Sequence, residues 1–142
     1  MATPITFTVS DTATGILNDS SFLNALVTFT EVTDTTLIAN CPGQLYPCAP
    51  ALTTNTVTIA GLGTFTLTGS SFFFDNAINV AGITNAVGAA YLAVENTTPF
   101  DTYNMTTNVG PVTFSSYGGS AVSNVATSGG GEGIFQAVVG SV

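Results

Sequence analysis

The chain contains no lysine, no arginine and no histidine, and its formal net charge at pH 7 is −8. All of its eight charged side chains are carboxylates, so none of them can form an ion pair with another side chain of the chain. A fold built from this sequence must therefore be held together by buried apolar surface and by backbone hydrogen bonds. The same restriction applies to contacts between identical copies.

The missing cations also exclude several classes of function. Binding to nucleic acid or to anionic membranes depends on lysine and arginine. A serine or cysteine nucleophile usually needs a histidine or lysine base, and zinc sites usually need more histidine or cysteine ligands than two cysteines supply. We therefore expect a protein that is not an enzyme. One catalytic alternative remains, a pair of carboxylates about 5–10 Å apart acting on a glycosidic bond, but the carboxylates are scattered and tryptophan is absent.

Calcium is the metal that best suits a chain rich in oxygen ligands. Segments 18–20 and 31–34 combine carboxylate, amide and hydroxyl groups. Neither segment has the spacing of a calcium-binding helix–loop–helix motif. We therefore expect no cofactor and keep calcium as a weak alternative.

The size and composition indicate one folded domain over residues 1–142, with 45% hydrophobic residues and 6% charged residues. No apolar run reaches 18 residues, so we expect no membrane insertion. The first residues lack the basic and apolar regions of a signal peptide, and we expect that any leader has been removed.

The two cysteines, Cys41 and Cys48, bracket a loop that contains two prolines and a glycine. This spacing favours a short structural disulfide over a redox-active pair, since the spacing is not C-x-x-C and no cation is present to activate a thiol. A structural disulfide implies an oxidising, extracellular compartment.

Alternation of apolar and hydroxyl residues dominates the sequence. Ile5, Phe7 and Val9 alternate with threonines, and segments 56–59 and 64–68, separated by a glycine-rich turn, predict a β-hairpin. Turn signals recur every eight to twelve residues, the first at 11–15, and only 20–26 could hold a helical turn. The pattern predicts an antiparallel β-sandwich of the jelly-roll or immunoglobulin-like kind, with about eight to ten strands. Further strands are expected at 26–32, 71–75, 78–83, 90–95, 103–107, 112–116, 121–125 and 133–139, with 71–75 and 78–83 buried on both faces.

Several apolar strands lack the charged residues that usually protect a sheet edge. Segments 71–74 and 133–139 are therefore either interior strands of a closed sandwich or strands that pair with a neighbouring subunit. For strand exchange, either terminal segment, 4–10 or 132–142, could serve, and glycines 129–131 would provide a hinge for the second. The assembly residues predicted in these segments are Ile5, Phe7, Val9, Ile134, Phe135 and Val138.

Two further patterns have functional and ordinary interpretations. Thr-x-Thr pairs at 6/8, 28/30, 56/58 and 64/66/68 could order water or ice, but threonine is also a common residue on a solvent-facing strand. Glycosylation sequons begin at Asn18, Asn96 and Asn104, and they matter only if the source organism glycosylates exported proteins.

Four stretches carry a resemblance to a known class: segment 57–66, the loop between Cys41 and Cys48, segment 100–111 and the closing segment 133–139. They resemble exported bacterial proteins of the PEP-CTERM sorting class. The resemblance implies export to the cell surface or the extracellular space and association with exopolysaccharide or biofilm matrix, and it implies no catalytic residue. The sorting signal of that class does not follow Val142, so either it was removed in maturation or the resemblance is limited to a shared β-sandwich style.

Together these observations predict a non-enzymatic extracellular structural protein. We expect a self-assembling subunit of a surface fibre or biofilm matrix, joined to identical copies by β-strand pairing or exchange. Its partners would be further copies of itself, together with exopolysaccharide. The alternative is a monomeric secreted module that binds carbohydrate, calcium or ice.

Overall fold

A computed structural model describes residues 2–40, 47–49, 54–77, 80–84, 90–95, 102–118 and 132–140. These residues form strands and one short 3-10 turn, Thr35–Leu37, and no α-helix occurs among them. The strands are β1 Pro4–Leu17, β2 Ser20–Asp34, β3 Ala39–Asn40, β4 Pro47–Cys48, β5 Thr54–Ile59, β6 Gly63–Leu67, β7 Ser71–Asp75, β8 Val80–Thr84, β9 Ala90–Glu95, β10 Val109–Gly118 and β11 Glu132–Val139.

The strands form two antiparallel sheets that share β10. The front sheet has the order β10-β11-β1-β2-β5-β6, and the back sheet has the order β3-β4-β7-β8-β9-β10. Strand β10 changes sheets along its length, because Val112 to Ser115 pair with β11 and Ser116 to Gly118 pair with β9. The predicted all-β sandwich is confirmed. Its strand number is slightly above the expected range because two of the strands, β3 and β4, have only two residues each.

The core lies between the two sheets and follows the predicted alternation. Ile5, Phe7 and Val9 of β1 are completely buried, as is Phe72 of the back sheet. The rings of Phe7 and Phe72 stack across the sandwich with their centroids 5.7 Å apart. Burial of such apolar and aromatic surface is a major favourable contribution to the stability of the fold.

The predicted hairpin is confirmed in β5 and β6, which pair from Asn55–Leu67 to Ile59–Gly63. The Leu62 amide donates to the Ile59 carbonyl at 3.0 Å and closes the turn. Gly61 has φ = 86°, a backbone conformation that glycine adopts with little strain.

The turn predicted at 11–15 is wrong, because this segment lies in β1. Segment 20–26, which could have held one helical turn, lies in β2. The chain turns instead at Asn18 and Asp19, whose φ angles are 48° and 63°. Positive φ at both central residues is typical of the two-residue hairpin turn whose twist matches the flanking strands. Gly15 stays in the ladder opposite Phe22, and the register shift between Ala13 and Gly15 is taken up by one extra residue on β2.

Other predictions need correction in the second half. Segment 103–107 is not a strand: Met105 has φ = 63°, and the Asn104 side chain accepts hydrogen bonds from the Thr106 amide and hydroxyl at 3.1 and 2.8 Å. Such a turn competes with extended backbone. Strand β7 is not buried on both faces, because Phe72 is buried but Phe73 is only partly so. The strand expected at 121–125 lies outside the described residues.

Candidate functional site

The distribution of charge along the chain leaves one long segment neutral. No charged residue occurs between Asp34 and Asp75. This segment contains β3 and β6, which are the two ends of the strand order. The outermost strands of the fold therefore carry no charge, although an edge strand is where charged side chains commonly prevent pairing with other chains.

Strand β6 lies at one end of the strand order that the structure describes. It pairs with β5 on one flank, and among the residues that the structure describes no strand pairs with its other flank. The inward-facing side chains of β5, Val57 and Ile59, are 0% exposed, whereas the inward-facing Phe65 and Leu67 of β6 are only partly buried. We call this flank the β6 edge. It offers unpaired backbone groups and incompletely covered apolar side chains.

The outer face of the front sheet carries hydroxyl groups in rows that run across the strands. The first row continues on β11 with Gln136, and none of the hydroxyl residues in the two rows is fully buried. Strand spacing places neighbours in a row about 4.8 Å apart and separates the rows by about 6.7 Å. We call them the threonine rows: Thr8, Thr30, Thr56 and Thr66 form the first, and Ser10, Thr28, Thr58 and Thr64 form the second.

Hydrogen bonds within the sheet use some of these hydroxyls. The Thr58 and Thr64 hydroxyl oxygens lie 2.8 Å apart and are hydrogen-bonded to each other. The Thr8 hydroxyl donates to the Gln136 carbonyl at 3.5 Å. The Thr-x-Thr pairs are visible in the sequence. Their alignment into rows depends on strand order and register, which the sequence does not reveal.

A polar cluster that the sequence analysis missed lies inside the sandwich. Glu31 of β2 is 0% exposed, and its carboxyl oxygen Oε2 accepts a hydrogen bond from the Phe72 amide of the back sheet at 2.9 Å. Asn55, its register partner on β5, is 1% exposed and donates through Nδ2 to the carbonyl and hydroxyl oxygens of Ser70. The Asn55 Oδ1 atom is buried without a hydrogen-bond partner. The alternation along β2 could have revealed the burial of Glu31, because Glu31 continues the inward-facing series of Val27 and Phe29.

The terminal segments expected to join subunits lie inside the front sheet. Strand β1 pairs with both β11 and β2, and β11 pairs with both β1 and β10. In addition, the Gly140 amide donates to the Pro4 carbonyl at 2.7 Å. Of the six assembly residues, Ile5, Phe7 and Val9 are fully buried, Ile134 is 43% exposed and Val138 is partly buried. Phe135 pairs through its backbone with Val9. Within one chain, these strands are interior strands of the front sheet, as the alternative interpretation of the sequence had it. Their exchange between chains stays a prediction.

A shallow cleft of about 470 Å³ lies at the β3 end of the back sheet and is rich in amide side chains, including Asn40, Asn76 and Asn104. Asn76 donates to the Tyr103 carbonyl at 3.2 Å, and the Tyr103 hydroxyl donates to the Thr107 carbonyl at 2.7 Å. Burial raises the pKa of Tyr103 above its ordinary value. This tyrosine therefore serves the structure, and none of the residues that line the cleft is charged.

Asp34 caps the 3-10 turn beside β3. Its Oδ1 atom accepts hydrogen bonds from the Thr36 hydroxyl at 2.7 Å and from the Thr36 amide at 2.8 Å. These two bonds lower the pKa of Asp34, with the hydroxyl the larger cause. Glu31 and Asp34 belong to one segment considered for calcium, but Glu31 is fully buried in the sandwich whereas Asp34 is not. No group of three or more acidic or cysteine side chains that could hold a metal ion occurs in the part of the chain that the structure describes.

The structure describes only some of the remaining predicted site residues. Cys41 and Asn96 lie outside the described residues. Cys48 is not a free thiol, and its pairing with Cys41 stays a prediction. Asn18 and Asn104 are exposed on turns, so their sequons lie on the surface.

Comparisons with known proteins identify no family for this chain. No family model, no curated protein and no solved structure matches this chain. No helix among the described residues is long and apolar enough to cross a membrane.

Proposed function

We propose that the protein is a non-enzymatic structural subunit that assembles with identical copies through β-strand pairing. The observation that carries the proposal is the β6 edge, which has no strand partner among the described residues and lies in the uncharged segment between Asp34 and Asp75. Backbone pairing needs no complementary side-chain charge, so it is available to a chain without cations. Export to the cell surface and a place in an exopolysaccharide or biofilm matrix complete the proposal. They are supported by the Cys41–Cys48 spacing and by the resemblance to exported proteins.

The charge of the chain makes this proposal testable. At neutral pH each copy has a formal charge of −8, so copies repel one another except where their surfaces carry no charge. Lowering the pH towards about 4, where aspartate and glutamate begin to take up protons, should strengthen association, and added calcium should do the same. Raised salt should also strengthen it, because screening reduces repulsion.

Sedimentation velocity over a range of protein concentrations is the appropriate assay, with negative-stain imaging of the associated material. We expect larger species at high concentration and more of them at acidic pH or with calcium. Sedimentation that is independent of concentration, and unchanged or slower across the acid titration, would contradict the proposal.

The threonine rows favour a second candidate, a module that binds an ordered surface such as ice. Regular hydroxyls on a sheet can match a repeating pattern of water molecules or sugar hydroxyls. The two candidates differ in a direct measurement. A monomer at every concentration that adsorbs to ice, and loses adsorption when Thr30 and Thr56 are replaced by lysine, would favour the binding module.

A further inference from the structure

We infer that the β6 edge pairs antiparallel with the β6 edge of a second copy, with a two-fold axis through Thr66. This inference rests on the proposed self-assembly and assigns its interface. The occupant of the edge is a second copy because the strand is complementary to itself. Residues 64–68 read Thr-Phe-Thr-Leu-Thr, which keeps the same alternation when reversed.

The register follows from this near-symmetry. Antiparallel pairing about Thr66 places Phe65 opposite Leu67 of the second copy and Thr66 opposite itself. Both inward-facing side chains then meet an apolar partner, and both outward-facing ends meet hydroxyls. A register centred on Phe65 would also preserve the faces, but it would place Leu67 opposite Gly63 and leave it without a side-chain partner.

Burial in the single chain agrees with this arrangement. Inward-facing residues are 0% exposed on β5, at Val57 and Ile59, and become partly exposed at Phe65 and Leu67. The open side of these two residues is the side on which a second β6 would lie. Pairing would therefore continue the core of the sandwich across the interface, which is the usual source of stability for an isologous contact.

Like the two-residue strand β3 at the other end of the strand order, this edge carries no charge. Residues 63–68 contain no charged side chain, and the β5 strand behind them contains none either. Two copies of charge −8 meet there with little local repulsion. The paired front sheets would also join their threonine rows, because the row that ends at Thr66 in one copy continues at Thr66 of the second.

A cysteine cross-link tests the register. Opposite residues on antiparallel strands have Cα atoms about 4.5–5.5 Å apart, within the range that a disulfide spans. Thr66→Cys should therefore give a covalent dimer under mild oxidation. Thr64→Cys is the matched control: its copies would be offset by four residues, about 13 Å, and should stay uncrosslinked. The wild-type chain reports any cross-link through its own cysteines.

A charge substitution tests the energetics. Thr66→Lys places two like charges on the axis and should raise the dimer dissociation constant at least tenfold, measured by sedimentation. Thr30→Lys adds the same charge to the same row on β2, a strand inside the sheet, and should leave association within about twofold of the wild type. Circular dichroism checks that both variants fold.

The outcomes separate this inference from the proposed function. A Thr66→Cys dimer without a Thr64→Cys dimer, together with weakened association of Thr66→Lys, supports the interface. If the wild type associates while Thr66→Lys associates equally well and Thr66→Cys does not cross-link, the inference fails and the proposed function stands. If the wild type is a monomer at all concentrations, both fail.

Discussion

The buried carboxyl of Glu31 joins the two sheets, and its substitution should show how a chain without cations stabilises its core. Glu31 is 0% exposed and accepts the Phe72 amide hydrogen bond at 2.9 Å, so it connects β2 of the front sheet to β7 of the back sheet. Two substitutions separate the hydrogen bond from the charge. Glu31→Gln keeps a side-chain oxygen of similar reach, whereas Glu31→Leu keeps approximate volume and removes the acceptor.

The expected magnitude comes from the backbone group that loses its partner. In the leucine variant the Phe72 amide stays buried without this acceptor, which costs about 1–3 kcal/mol. The glutamine variant retains the acceptor, and its amide is neutral at every pH, so we expect it to be at least as stable as the wild type at pH 7. A change of 1 kcal/mol shifts the melting temperature of a chain of this size by about 3–4 °C. Glu31→Leu should therefore melt roughly 3–12 °C below Glu31→Gln.

Thermal and urea unfolding followed by circular dichroism measure this difference directly. The comparison is made between the two variants, since both remove the ionisable group and differ in the acceptor. Equal melting temperatures for Glu31→Gln and Glu31→Leu would refute the claim that this hydrogen bond helps to hold the sheets together.

Three further predictions concern the core, the pH dependence and the loop near β4. Phe72→Ala removes the ring stacked on Phe7 and should lower the free energy of unfolding by about 3–5 kcal/mol in urea titrations, whereas the control Phe73→Ala, on a partly buried ring, should cost clearly less. Because burial raises the pKa of Tyr103 in the folded state, its contribution is complete below the unfolded value near about 10 and is lost as the pH rises through the folded value. Stability should therefore fall as the pH rises above about 10, and Tyr103→Phe should flatten that fall. The substitution should also cost about 1 kcal/mol at pH 8 through the lost hydroxyl bond. A slope unchanged by the substitution would assign it to other groups. Cys48→Ser should lower the free energy of unfolding by somewhat under about 3 kcal/mol if the loop is closed by a disulfide, and a reducing agent should then affect the wild type but not the variant.

Most of the fold could be predicted from alternation, because period-two burial is a local property of a strand. Ile5, Phe7 and Val9 face the core as expected, and the hairpin of β5 and β6 needed only its glycine turn. The turn at Asn18 and Asp19 was harder to recognise, since Gly15 is the stronger turn former by composition. Gly15 instead pairs with Phe22 inside the sheet, and the nearby register shift comes from an extra residue on β2.

The candidate site depends on long-range pairing and was therefore less accessible to sequence reasoning. Which strand lies at an edge is decided by contacts between distant segments, so the terminal strands were proposed for assembly although both lie inside the front sheet. The neutral segment between Asp34 and Asp75 was visible in the sequence, but its meaning depends on the positions of β3 and β6 at the two ends of the strand order. The burial of Glu31 could likewise be predicted from the alternation along β2, but its hydrogen bond with the Phe72 amide depends on how the two sheets pack.

The measurement that tests the central claim most directly is amide hydrogen exchange as a function of protein concentration, with peptides produced by pepsin. If copies associate through the β6 edge, amides in residues 63–68 should exchange more slowly in concentrated samples than in dilute ones. Amides of β2, which already has a partner on each flank, should exchange at the same rate in both. Exchange that is identical at all concentrations in every peptide would contradict the account, and protection confined to other strands would contradict its choice of edge.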